Sequence, residues 1–218
     1  MKRQTQILMF SLAVIALPFT SASAAEKPPV KLAKVFPYLE QYLSIPPAER
    51  NRFSMSYAFM MNGKPAAGLK AVIVEADGRR TPLIIGPTGR VTTLPNSNQL
   101  KSAQFIADVS AGAKMGVNLE MLPSMAVAKE ISAREAELSI AQVNAGIAKA
   151  AGAMSFAAPK MTGLTFVGSG QGVARLANGK ETPLPLDKGV PFYDPGVTKG
   201  AVTIVLAKTP TKLDFKSK

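Results

Sequence analysis

The chain has 218 residues, with 26 Lys and Arg against 14 Asp and Glu, a formal net charge of +12, and neither cysteine nor histidine. Without cysteine there are no disulfides, no thiol catalysis and no thiolate metal sites. Without histidine there is no Ser-His-Asp catalysis, and the commonest metal ligand is missing. A chain of this size can bury enough surface to fold without staples.

Residues 1–24 read as an export signal. Lys2 and Arg3 precede an apolar run from Ile7 to Leu17, Pro18 breaks it, and Ala22-Ser23-Ala24 offers a small-residue cleavage site, with Ser23-Ala24-Ala25 as the alternative. The run is shorter than the roughly 20 residues a membrane-spanning helix needs, and no later run is long enough. The expectation is a cut near Ala24 or Ala25 and a periplasmic or secreted protein with no transmembrane span. Removing Lys2 and Arg3 leaves a mature charge of +10, from 24 basic and 14 acidic residues. Such a surface attracts anions over long range, so the expected partner is an anionic envelope component or another exported protein. No nucleic acid is expected in that compartment.

Residues 25–30 form a leader. Leu32, Val35, Phe36, Leu39 and Leu43 then fall at helical spacing, with Pro37 either in a first turn or splitting the element. Phe53 to Met61 alternates: Phe53, Met55, Tyr57, Phe59 and Met61 on one face, and Ser54, Ser56 and Ala58 on the other. That is the period of a half-buried strand. Strands are predicted over Leu69–Ala76, Arg80–Ile85, Arg90–Leu94, Ala103–Val109 and Val117–Met121, with Asp77-Gly78 as a hairpin turn. Residues 132–151 carry a second helical pattern, opened by Ser132 and Glu135 at capping-box spacing. Strands follow near Leu164–Val167, Val173–Ala177, Thr182–Leu186, Val190–Tyr193, Ala201–Ala207 and Lys212–Phe215.

The second half echoes the first. Met55-Ser56-Tyr57-Ala58 returns as Met154-Ser155-Phe156-Ala157, Gly68-Leu69 as Gly163-Leu164, and the turn from Asp77 to Leu83 as Asn178 to Leu184. The fold class expected is α+β, built as two tandem pseudo-symmetric repeats, each an N-terminal helix followed by an antiparallel β-meander. Residues 25–125 form the first repeat and 126–218 the second, as two units or one fused domain. Pseudo-twofold packing places a groove between the halves, a common location for ligands.

Few motifs carry chemistry. Val167-Gly168-Ser169-Gly170-Gln171-Gly172 lacks the glycine two before serine that a nucleophile elbow needs, and a strand rather than a helix follows it, so it reads as a hairpin loop. Carboxylate catalysis needs two acids facing across a cleft. Glu75, Asp77, Asp108, Glu120, Asp187 and Asp194 are the candidates, and the spacing singles out no pair. The methionines read as core filling. Arg79, Arg80 and Lys180, at the tips of the repeated hairpin, are the candidate binding residues. No metal site and no cofactor are expected. The leading expectation is a non-enzymatic exported binding or interaction protein. The alternatives are a histidine-free, carboxylate-dependent hydrolase of an envelope polymer, and an inhibitor or adaptor of another exported protein.

Overall fold

A computed structural model describes residues 29–110, 112–152 and 158–217. The signal segment and Met154–Ala157 therefore lie outside the described residues. Among the described residues the protein is mixed α and β, with four α-helices and four antiparallel sheets. No helix there is long and apolar enough to cross a membrane.

The chain opens with β1 (Val30–Lys31), α1 (Leu32–Val35) and α2 (Leu39–Ser44). Pro37 splits the helical pattern, and Tyr38 makes the break in the left-handed region at φ 63°. A 3-10 turn at Pro47–Glu49 leads into β2 (Phe53–Met61), β3 (Lys64–Pro65), β4 (Ala71–Val74) and β5 (Arg80–Leu83). The strand expected at Arg90–Leu94 is reduced to two isolated bridges, Ala58 with Arg90 and Ile85 with Val91. A helix that the periodicity did not suggest, α3 (Ser97–Ser102), follows. Its signal is local: Asn96 accepts from the Gln99 backbone, and the Gln99 side chain accepts from the Asn96 backbone, a complete capping box. Then come β6 (Gln104–Ala107) and β7 (Met115–Pro123).

The remainder is β8 (Glu130–Ser132), α4 (Ala133–Ala151), β9 (Met161–Val167), β10 (Gly172–Leu176), β11 (Glu181–Pro183), β12 (Leu186–Asp187), β13 (Val190–Tyr193), β14 (Ala201–Leu206) and β15 (Lys212–Ser217). The sheet orders are β1-β6-β4-β5, β3-β2-β7, β11-β10-β14-β8 and β12-β13-β9-β15. β7 packs beside β15.

The expected half-buried β2 is covered on both faces. Tyr57 and Phe59 are fully buried on one side, in edge and stacked contacts with Phe36 and Phe105. On the other, Ser56 and Ala58 are buried too, because the Arg90 segment bridges Ala58 and the Arg90 guanidinium donates to the Ser56 hydroxyl.

Two hydrophobic cores result, and α4 serves both. Ala133, Ala136 and Ile140 pack in the second core, while Val143 and Ile147 pack in the first. At 19 residues the helix is about 28 Å long, enough to reach from one to the other. Each large apolar side chain it buries stabilises by about 1.5–3 kcal/mol. Polar groups fix its position. Ser139, only 1% exposed, donates to the Arg52 carbonyl at 2.9 Å. Gln142 accepts from the Arg52 amide at 2.7 Å and donates to the Ala48 carbonyl at 3.1 Å. The expected capping box is half made: the Ser132 hydroxyl accepts from the Glu135 amide, but the Glu135 carboxylate pairs with Arg52 instead of returning to the cap.

The sequence echoes differ in their surroundings. Both Asp77-Gly78 and Asn178-Gly179 turn hairpins, with glycine φ of 84° and 80°. In each, the Asx side chain accepts from the amide two residues on, at 2.9 and 3.0 Å. Gly68-Leu69, by contrast, lies in the loop before β4, while Gly163-Leu164 lies inside β9.

Gly163 allows a close approach of two strands, since a Cβ there would stand 2.2 Å from the Tyr193 carbonyl oxygen. Gly116, in β7, has nothing within 4 Å of such an atom. In urea unfolding, Gly163→Ala is expected to cost about 2 kcal/mol and Gly116→Ala nothing. Equal behaviour of the two would contradict the β9–β13 contact.

Candidate functional site

Where α2, the β2–β7 ladder and the C-terminal half of α4 meet, they line a partly open apolar cavity of ≈ 400 Å³. This falls in the size range of small-ligand sites. The helical segment contributes Tyr38, Tyr42 and Ile45, and the ladder contributes Phe53, Met55, Leu119 and Met121. Met55 and Met121 are directly opposed partners in that ladder, so their flexible side chains lie together on one face. α4 closes the wall with Gly146, Ile147, Ala150 and Ala151, and Ala158 and Pro159 complete it.

The small residues of α4 explain the shape. A Cβ on Gly146 would lie 2.4 Å from the Phe53 ring, so glycine lets the ring close against the helix. The alanines that follow fill little space, which leaves the cavity open between α4 and Tyr42. Tyr42 packs edge-on against Phe53 at 5.6 Å and donates to the Phe53 carbonyl at 3.4 Å. Asn144 anchors the returning chain: its side chain both donates to the Met161 carbonyl and accepts from the Met161 amide, at 2.8 and 2.9 Å.

Tyr38 stands out. It is 54% exposed, lies in the cavity wall, and holds a left-handed backbone that costs a non-glycine residue roughly 1–3 kcal/mol. Such strain concentrates at functional sites.

Arg79, Arg80 and Lys180 lie elsewhere. Arg79 sits in the β4–β5 turn and pairs with Glu75, which also accepts from Gln99. Arg80 opens β5 and borders a shallow hollow with Asp108. Lys180 lies in the β10–β11 turn of a different sheet.

Five of the six candidate acids are committed to structure, and the sixth, Asp108, lies at the hollow beside Arg80. Hydrogen bonding from Arg79, then from Gln99, holds Glu75 below the usual carboxylate range. Lys216 does the same for Asp187. Asp77 and Asp194 accept turn amides, from Arg79 and Gly196. Glu120 is held down first by its hydrogen bond from Arg90 and further by Lys212, which reaches it from β15. Glu75, Glu120 and Asp187 are thus held ionised beside cation partners, unlike the raised-pKa acid a glycosidase needs. Burial pushes the Tyr57 and Tyr193 phenols up, so both stay protonated donors, Tyr57 to the Pro37 carbonyl and Tyr193 to Glu137. Ser169 is fully buried and donates to the Phe166 carbonyl, which leaves no exposed nucleophile in the glycine loop. Among the described residues no group of three or more acids is placed to hold a metal ion.

The cavity itself escaped the sequence reading. Its wall is apolar and assembled from positions 38 to 159. Pro37 and the small residues Ala145, Gly146, Ala148, Ala150 and Ala151 were the available signals.

Set against protein-family models, curated proteins and solved structures, the chain matches none.

The Glu120 shift has a stability consequence. A carboxylate whose pKa is lowered on folding stabilises the folded state above its ordinary value of 4.5, and that contribution is lost as pH falls through the lowered value. Acid unfolding followed by circular dichroism is expected to show a smaller loss of stability below pH 4.5 in Glu120→Gln than in the wild type. An identical acid slope would show that the Arg90 pair contributes nothing.

Proposed function

We propose that this is an exported, periplasmic, non-enzymatic binding protein that holds a small apolar ligand in the cavity between α2, the β2–β7 ladder and α4. One observation carries the reading: an apolar cavity of ≈ 400 Å³, bordered by a strained and exposed tyrosine, in a protein where five of the six candidate acids are otherwise engaged. Export rests on the signal-like first 24 residues.

We also propose that the scaffold is two tandem pseudo-symmetric repeats. The pairings β1–β6, β6–β4, β4–β5 and β2–β7 have counterparts in β8–β14, β14–β10, β10–β11 and β9–β15. The two Asx hairpins occupy matching places in that scheme. The cavity then falls where the repeats meet, with seven wall residues before position 125 and six after it.

The test is titration of the mature protein with the neutral apolar dye N-phenyl-1-naphthylamine, read by its fluorescence. One saturable site is expected. Met121→Trp, which fills the cavity, is expected to weaken it by about tenfold or more with no fall in thermal midpoint. Absence of saturable binding, or binding indifferent to Met121→Trp, would sink the proposal. Tyr38→Asn separates strain from stability, because asparagine tolerates the left-handed region. Its thermal midpoint is expected to equal or exceed the wild type while dye binding weakens. A stability loss with unchanged binding would make Tyr38 a purely structural residue.

A further inference from the structure

A cation outside the cavity's own lining contacts two of its wall residues. Arg50 follows the 3-10 turn, and two wall residues hold its side chain: the guanidinium carbon lies 4.9 Å over the Tyr42 ring, and Nε donates to the Ile45 carbonyl at 2.9 Å. Those contacts use one of the five N–H donors of the guanidinium.

Four other arginines end on acids: Arg52 on Glu135, Arg79 on Glu75, Arg90 on Glu120 and Arg175 on Glu181. Arg50 does not. Its neighbour Glu49 is taken by Lys149 of α4, and among the described residues no carboxylate pairs with Arg50. A half-buried guanidinium, oriented by a ring and a carbonyl and left without a counter-ion, is a preorganised fork for a carboxylate or phosphate. Apolar walls beside such a fork match a molecule with an apolar tail and an acidic head. The mature net charge of +10, from 24 basic and 14 acidic residues, draws anions toward the protein from a distance.

We infer that the cavity takes a single-chain anionic amphiphile, its tail among Phe53, Met55, Met121 and Ile147 and its acidic head on the Arg50 guanidinium. This rests on the cavity being a ligand site, and it adds the chemical class of the ligand. Arg50 is the specificity residue and makes no covalent chemistry.

The test displaces N-phenyl-1-naphthylamine from the mature protein with dodecanoate, dodecyl phosphate and dodecanol, each below its micelle concentration. At least one acid is expected to displace the dye about tenfold better than the alcohol. The better of the two identifies the head as carboxylate or phosphate. In Arg50→Gln the acids are expected to fall to the level of the alcohol, while displacement by dodecanol stays at its wild-type value and so reports an intact cavity. Arg50→Lys, which keeps the charge, is expected to keep part of the preference, and more of it at low salt. Equal displacement by alcohol and acids in the wild type, or a preference that survives Arg50→Gln, overturns the assignment to Arg50 and leaves an apolar site standing. Failure of the dye to bind at all overturns the cavity reading with it.

Discussion

The fold depends on one helix belonging to two cores. The N-terminal half of α4 buries Ala133, Ala136 and Ile140 against the second set of strands, and its C-terminal half buries Val143 and Ile147 against the first. The first half needs this help because its own helical segment is broken at Pro37 into pieces of four and six residues. Pieces so short cannot cover a nine-residue strand pair alone. The loop from Ala48 to Arg52, clasped by Ser139 and Gln142, holds α4 in place over both.

The cavity follows from the same arrangement. A continuous first helix would lie across the β2–β7 ladder and fill it. The broken one leaves a gap that α4 covers with Gly146, Ala150 and Ala151 and a single large side chain, Ile147. The gap is a packing defect in energetic terms, since apolar walls without partners lose dispersion contacts. Together with the left-handed Tyr38, it makes this region one where the protein gives up stability, and ligand sites are commonly found in such regions.

Electrostatics divide the surface into committed and uncommitted charge. Glu75, Glu120 and Asp187 are held ionised by cations and tie strands or turns together. The Glu120 cluster links β7 to β15 through Lys212. Such partly exposed pairs contribute little each. Their effect on chemistry is larger, because an acid held ionised beside a cation is a poor proton donor. The excess of basic residues remains for capture of anions, and Arg50 is the one that the cavity wall orients.

Much of the local structure was legible in the amino-acid order. The β2 alternation, the Asx-Gly hairpins, the Ser132 cap and the α4 stripe were readable because each depends on neighbours a few residues away. The capping box of α3 is equally local, but the segment carries no apolar periodicity that marks it as a helix. Other features were not readable: that Ser56 and Ala58 are buried, that Glu135 leaves its capping role for Arg52, and that Gly163-Leu164 lies in a strand while Gly68-Leu69 lies in a loop. The cavity and its cation belong to this second group. Tyr42, Phe53, Met121 and Ile147 span more than a hundred positions, and no pattern in the chain marks them as neighbours. Composition by itself determined that the protein works without thiol or imidazole chemistry and carries a strong positive charge. That Arg50 stands beside an apolar wall with no carboxylate partner among the described residues was decided only by tertiary packing, because counter-ions and voids are set by distances between segments remote in sequence.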